Sequence, residues 1–401
     1  MQIANRVNKI ASSQSLEMAA RAKAMKAAGI GVISMSLGEP DMDTPEPIRR
    51  AAQEAIDNGW SHYGPVAGIE SLREAIATSQ NGLVDERMRG LGVEWKASDV
   101  VVSVGAKMAI FNAIQTVINP GDEVIIPMPS WVSYGEMVKL AEGTVIPVQT
   151  RYEDRYCLTP EQLRKALTPK TRMLLLCSPN NPTGSVYRLE ELNALVEVLK
   201  DWPEVVLLSD EIYNRIIYDS LGFSVEGLGV ASPTMAAFPE IADRLIVING
   251  VSKAYAMTGY RIGWLLCKNE AFIKACIRLQ GQELTCATMV AQKAAEAALQ
   301  GSQDCVEQMR RVFAERRELI CRLARKIPGW KFEEPQGAFY LFPDVSALGG
   351  GDKYAAYLLE QAHVAVVPGS AFGCPECIRL SYAISTEEII EAMKRIGNIG
   401  N

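Results

Sequence analysis

Residues 205–213 read VVLLSDEIY. A strand with one face in water alternates apolar and polar residues. A continuous apolar run such as Val205–Leu208 instead marks a strand covered on both faces, the usual state of a parallel sheet between helices. The run ends at Ser209, and Asp210 follows at the strand's carboxyl end. A carboxylate there is costly unless a cation or hydrogen-bond donors meet it. Open α/β sheets bind their ligands beyond the carboxyl ends of the strands, so this stretch indicates both a fold class and a place to look for function.

Reading outward, six further runs have strand character: Val100–Val104, Glu123–Pro127, Thr144–Val148, Arg172–Cys177, Leu245–Asn249 and Gly263–Cys267. Helix-like segments such as Ala106–Ile118 and Glu190–Lys200 lie between them. The alternation predicts an α/β architecture with a mostly parallel seven-stranded sheet. From about Ala287 the pattern changes. Two long helices, Ala287–Leu299 and Asp304–Lys326, precede short strands at Phe339–Phe342, Val364–Val367 and Ile378–Tyr382. A final helix starts near Thr386. This reads as a smaller α+β unit. The expected division is a large cofactor-binding domain over 46–286 and a small domain built from 1–45 and 287–401. The N-terminal helix, about Leu16–Ala28, has no partner fixed by pattern alone.

The 401 residues are 48% hydrophobic and 22% charged, with a net charge of −6 and no basic stripe, so nucleic acid is not an expected partner. The N-terminus lacks the apolar core of a signal peptide. No run approaches the ~18 apolar residues of a membrane span, and a cytoplasmic protein with no membrane partner is expected. The nine cysteines do not form a disulfide framework. Cys374-Pro-Glu-Cys377 lacks the second pair a zinc site needs and lacks a thioredoxin-like context; it reads as a loop with two free thiols. Gly349-Gly350-Gly351 reads as a turn. No metal site is indicated.

Chemistry gathers just after the strands. Residues 247–264, VINGVSKAYAMTGYRIGW, hold two formal charges, Lys253 and Arg261. A lysine in such surroundings loses basicity through desolvation, which suits nucleophilic attack on a carbonyl; a solvated loop lysine is the plainer reading. A protonated heterocyclic nitrogen would answer Asp210, and Tyr213 lies three residues on. Asn181, in the loop Ser178–Gly184, either donates to a ligand oxygen or only makes the turn. Gly105-Ala106-Lys107 opens a helix, and small residues there present free N–H groups to a phosphate; Ser252 and Arg261 would add to that site. Trp131 either stacks on a flat ring or packs in the core. Together these groups suit a flat, phosphorylated, nitrogen-containing aldehyde, pyridoxal 5′-phosphate.

An ordered set of motifs runs through nearly the whole chain: Ser36-Leu-Gly-Glu-Pro-Asp41, Tyr63-Gly-Pro-Val-Ala-Gly68, Pro120-Gly-Asp122, Trp131-Val-Ser-Tyr134, Asn180-Asn-Pro-Thr-Gly184, Asp210-Glu-Ile-Tyr213, Ser252-Lys253 through Arg261-Ile-Gly263, and Arg379-Leu-Ser-Tyr382. With it the chain resembles the class I aminotransferases of the aspartate aminotransferase fold, pyridoxal-phosphate fold type I. It is most similar to the bacterial branch that includes aspartate/prephenate aminotransferases.

The resemblance implies roles. Lys253 would hold the cofactor as a Schiff base and later move the Cα proton. Asp210 would keep the ring nitrogen protonated. Asn181 and Tyr213 would bond the ring oxygen, and Trp131 would stack on the ring. Gly105, Ala106, Lys107, Ser252 and Arg261 would hold the phosphate, with Tyr63 reaching the neighbouring subunit's site in a homodimer. Arg379 would clamp the substrate α-carboxylate with the backbone of Gly38, and Trp131 and Asn181 would also touch substrate. The activity implied is ping-pong transfer of an amino group between an L-amino acid, aspartate or glutamate, and a 2-oxo acid such as 2-oxoglutarate or oxaloacetate, with prephenate a further acceptor. Transamination of neutral or aromatic amino acids, or a lyase reaction, is the alternative.

Substrate choice turns on Lys107, which occupies the branch's place for a lysine that meets an acidic side chain, and on Ser13 and Ser15, which match a serine-threonine pair. Ser12 stands where the branch has proline, and Ser79–Trp95 is longer than usual.

Overall fold

The structure, a computed structural model, describes residues 1–11, 14–83, 92–218, 223–225 and 229–398. Its centre is one seven-stranded sheet. In chain order the strands are β1 (Val100–Val104), β2 (Glu123–Met128), β3 (Thr144–Gln149), β4 (Thr171–Cys177), β5 (Val206–Asp210), β6 (Leu245–Gly250) and β7 (Ile262–Leu266). The spatial order is β1-β7-β6-β5-β4-β2-β3. All seven are runs anticipated from the sequence. Only β7 pairs antiparallel with its neighbours.

Alternate side chains of each strand enter opposite layers. Val101, Val124, Ile126, Leu175, Leu208 and Ile248 pack beneath the helices Gly105–Val117, Ser133–Leu140 and Glu270–Glu283. Val100, Val102, Leu174, Leu176, Leu207 and Val247 face Glu46–Asp57, Glu70–Gly82, Leu189–Leu199 and Met289–Gln300. Both faces are covered except at the half-buried edge strand β3, which is why the inner runs are largely apolar. Asp210 closes β5 as its last residue instead of following it.

The helix Met289–Gln300 buries Ala291, Ala294, Ala295 and Ala298 in the large-sheet core, against Glu46–Asp57 and Glu70–Gly82. The C-terminal core is separate. Phe313 and Ile320 of the helix Asp304–Ala324 meet Ile389 and Met393 of Thr386–Asn398 over Tyr340, Leu341, Ile378 and Leu380. Its sheet is antiparallel, with Ile378–Ser381 between Tyr340–Leu341 and Val367–Pro368.

The expected strand Val364–Val367 divides, because its two ends pair differently: Val364–Ala365 runs parallel to Ile33–Ser34, whereas Val367 pairs with Arg379. The helix Gln14–Ala27 packs Met18, Ala22 and Met25 near Leu359 and Ala365, so the N-terminal segment joins the C-terminal core. All nine cysteines are free thiols. Among the described residues no helix is long and apolar enough to cross a membrane.

Candidate active site

The carboxyl ends of β1, β4, β5 and β6 converge on one cavity of about 340 Å³. Topology explains how Lys253 and Arg261 share it. The chain leaves β6 at Gly250, passes Ser252 and Lys253, and re-enters the sheet as the antiparallel β7. Gly263 therefore pairs with Gly250, and Ile262 with Val104. Arg261, which precedes a strand, thus lies at the same sheet edge as the residues that follow the parallel strands.

Gly263 and Gly105 make the approach possible. A Cβ on Gly263 would come within 2.2 Å of the Ala106 amide nitrogen, and one on Gly105 (φ +78°) within 2.5 Å of the Arg261 guanidinium. The first turn of the helix Gly105–Val117 and Arg261 therefore meet with no side chain between them. Lys107 points back over Trp131, its Nζ 4.8 Å from the ring centroid. Burial, with Arg261 nearby, pulls the Lys107 ammonium below its ordinary value.

Lys253 donates through Nζ to the Gly38 carbonyl at 2.6 Å and lies 5.9 Å from the Tyr213 ring centroid. Its side chain is partly open to the cavity, but the surrounding protein still denies its charge full hydration. Desolvation lowers its pKa to about 8; Arg261 and Arg379 act in the same direction, against Glu39 and Asp210. Asp210 is 3% exposed. Its carboxylate accepts from the Tyr134 hydroxyl at 2.6 Å and from the Ile212 amide at 3.2 Å. Burial still pushes it up to about 6 against those donors and Lys253. Two neutralisable groups of opposite sign therefore share one cavity, a recurrent arrangement in proton-transfer sites.

The far wall is built by Arg379, which is buried with no carboxylate paired to it among the described residues. Its Nη1 donates to Asn181 Oδ1 at 2.9 Å and its Nη2 to the Ser36 carbonyl at 2.7 Å, while Nε has no partner. The guanidinium packs 4.5 Å from the Tyr340 ring and 4.9 Å from Phe372. Burial lowers its pKa, as expected for a cation held out of water. Such a group lacks its anion.

A profile of aminotransferase class I and II matches residues 30–396 of the chain. The chain belongs to this family. It is an aminotransferase with the family's α/β fold. It is 41% identical to aspartate aminotransferase from Bacillus sp. (strain YM-2), covering 98% of each chain. It is 40% identical to aspartate/prephenate aminotransferase from Nitrosomonas europaea, covering 100% of each. Among solved structures, the aspartate aminotransferase of Rhizobium meliloti superposes with a TM-score of 0.91 at 38% identity, covering 99% of this chain and 98% of that one. The Thermus thermophilus enzyme with maleate gives 0.89 at 36%, covering 100% of each.

Of the residues singled out from the sequence, the aminotransferase brings Gly38, Ala106, Lys107, Trp131, Asn181, Asp210, Tyr213, Ser252, Lys253, Arg261 and Arg379 to the cavity wall, with Gly105 beside Arg261. Tyr63 is not in that wall; it is 89% exposed. Ser12 and Ser13 lie outside the described residues, as do the Ser15 side chain and residues 84–91 of the long stretch Ser79–Trp95.

Among the wall residues given no role from the sequence are Tyr134, Tyr340, Glu39 and Thr258. Tyr340 shares a 2.7 Å hydroxyl hydrogen bond with Tyr213, and its hydroxyl lies so close to Gly38 that a Cβ there would come within 2.4 Å. Glu39 accepts from Thr258 Oγ1 at 2.9 Å. The loop carrying Gly38 and Glu39 is anchored by the Arg316–Asp41 ion pair, whose two bonds are 2.6 and 2.9 Å.

Proposed function

We propose that this aminotransferase uses pyridoxal 5′-phosphate and transfers the amino group of acidic amino acids, aspartate or glutamate, to 2-oxo acids. The pairing of Asp210 with Lys253 across one cavity carries the cofactor reading. A buried carboxylate fits a protonated ring nitrogen. A lysine near pKa 8 fits an aldehyde, and the side-chain-free junction of Gly105, Ala106 and Arg261 fits a phosphate.

In this reading Asp210, held by Tyr134, keeps the ring nitrogen protonated, and Asn181 and Tyr213 orient the ring oxygen. Trp131 covers the ring. Ser252, Arg261 and the amides of Gly105, Ala106 and Lys107 hold the phosphate. When bound, the cofactor supplies an electron sink for the pair left on the substrate's Cα. Arg379 holds the α-carboxylate with its fork, aligned by Asn181 and Ser36. That fixes the Cα–H bond toward Lys253, whose neutral Nζ takes the proton as general base. The rings of Tyr340 and Phe372 keep water from the Arg379 face.

Preference for a second carboxylate rests on Lys107. Its ammonium is the cation at the open side of the wall, and the Thermus thermophilus relative was solved with maleate, a dicarboxylate. Prephenate, named for the Nitrosomonas europaea relative, is the further acceptor to test. Exposed Tyr63, Trp60 and Ile56 support a homodimer in which Tyr63 completes the partner's phosphate site. The packing of Met289–Gln300 supports a division into two domains drawn after Gln300 instead of before Ala287, with residues 1–45 in the smaller one.

Half-reactions test the assignment. Aspartate and glutamate should convert the cofactor spectrum to the amine form faster than alanine or phenylalanine. Lys107→Ala should slow the acidic donors selectively. Equal slowing of alanine would remove Lys107 from substrate recognition.

A further inference from the structure

Cys374 and Cys377 lie outside the cavity wall. The segment Cys374-Pro375-Glu376-Cys377 is a β-turn closed by the Cys377 amide donating to the Cys374 carbonyl at 3.1 Å. Proline at its second position has the fixed φ such a turn needs. A turn of this kind holds its first and fourth Cα atoms within about 7 Å, close to the separation a disulfide spans. The two Sγ atoms are already 3.4 Å apart; bonding requires closing to about 2.05 Å.

We propose that Cys374 and Cys377 form a redox-active dithiol site whose oxidising substrate is a low-molecular-weight disulfide, and that closing it weakens the Arg379 clamp. The half-buried Cys374 meets the reagent. Its sulfur bonds to one sulfur of the small disulfide, whose S–S bond breaks, and the first thiol leaves with the Cys374 proton. Cys377, 1% exposed and packed with Phe342, Val367, Ala371 and Phe372, is shielded from solvent. Its sulfur attacks Cys374 Sγ, and the second thiol leaves with the Cys377 proton. The cysteines lose two electrons, and the small disulfide gains them as two thiols. The hydrogen bond to Cys377 and burial hold the Cys374 thiol above its ordinary value.

The turn grips both sides of the clamp. Arg379 lies two residues beyond Cys377 on the strand Ile378–Ser381. The Cys377 carbonyl accepts from the Gly369 amide at 2.7 Å, and the Cys374 amide donates to the Gly369 carbonyl at 3.0 Å. Gly369 opens the turn Gly369–Phe372. Its Phe372 packs on Arg379, and the Phe372 carbonyl accepts from the Ser130 amide at 3.0 Å, next to Trp131. Drawing the sulfurs together shifts this turn against the strand that carries Arg379. This second half of the proposal rests on the clamp role given to Arg379 above.

The test equilibrates the holoenzyme with oxidised and reduced glutathione at a series of ratios, then alkylates it. Peptide mass should show Cys374 and Cys377 losing two hydrogens together and escaping alkylation, reversibly with dithiothreitol. Because a misplacement of about 1 Å at a positioning group costs up to about 100-fold, kcat/KM for the amino donor should fall roughly 10- to 100-fold, mostly through KM. Cys374→Ser and Cys374→Ala should abolish the oxidant's effect. Both thiols still alkylated at the most oxidising ratio would overturn the site. A disulfide formed with kcat/KM unchanged would overturn its coupling to the clamp. Arg379→Lys assayed in the reduced enzyme tests the clamp reading separately.

Discussion

The Tyr134 hydroxyl donates a 2.6 Å hydrogen bond to the Asp210 carboxylate, 76 residues away in sequence, and both groups are buried. Burial favours the neutral acid, and the phenol favours the carboxylate. Asp210 therefore depends on Tyr134 to stay charged in the pH range where it would bind a cation.

Tyr134→Phe removes that donor. A hydrogen bond to a charged group is worth about 1.5–3 kcal/mol, so cofactor affinity should drop by about 10-fold or more. The loss should also deepen toward acid, because the Asp210 pKa rises further. Cofactor dissociation constants between about pH 5 and 8 check this. Parallel profiles for variant and wild type would mean that Tyr134 only fills space.

The neighbouring Glu211 makes a pH prediction for stability. Its carboxylate accepts from Ser209 Oγ at 3.0 Å, Thr234 Oγ1 at 2.8 Å and the Met235 amide at 3.3 Å, yet burial still pushes it up to about 7, against 4.5 ordinarily. The folded state thus holds this proton more tightly than the unfolded chain. The resulting stability is fully present below about pH 4.5 and is lost as pH rises through about 7. Glu211→Gln stays neutral and escapes the loss. Its unfolding free energy relative to wild type should climb between about pH 5 and 8, by on the order of 3 kcal/mol. A flat difference across denaturant titrations at those pH values would refute the assignment.

Arg379→Ala leaves a substrate carboxylate without its fork. The expected cost is roughly 2–5 kcal/mol in kcat/KM, the same for acidic, neutral and aromatic donors because all share the α-carboxylate. Arg379→Lys should recover little, since an ammonium cannot reproduce the bidentate geometry. Steady-state kinetics with aspartate and alanine decide it; a loss confined to aspartate would move Arg379 to the side-chain subsite.

Much of this was legible in the sequence, for physical reasons. Strands buried on both faces must be largely apolar, so β1, β2 and β4–β7 stand out as runs, whereas the half-buried edge strand β3 stands out less; the strand ends mark Asp210, Asn181 and Lys253. The resemblance supplied Arg379, which lies far from the large sheet in the chain. The Tyr134–Asp210 bond was not legible, because it depends on how the helix Ser133–Leu140 lies over the end of β5. Nor was the placement of Met289–Gln300: an alanine-rich apolar stripe looks the same whichever core it faces. Val364–Val367 read as one strand because hydropathy carries no record of which partner each end hydrogen-bonds.

The most direct measurement is borohydride reduction of the holoenzyme followed by peptide mapping, alongside turnover of Lys253→Ala. The cofactor should be fixed on Lys253 alone, and kcat should fall at least about 100-fold in the variant, the scale of a lost general base. Label on another lysine, or wild-type turnover by Lys253→Ala, would contradict it.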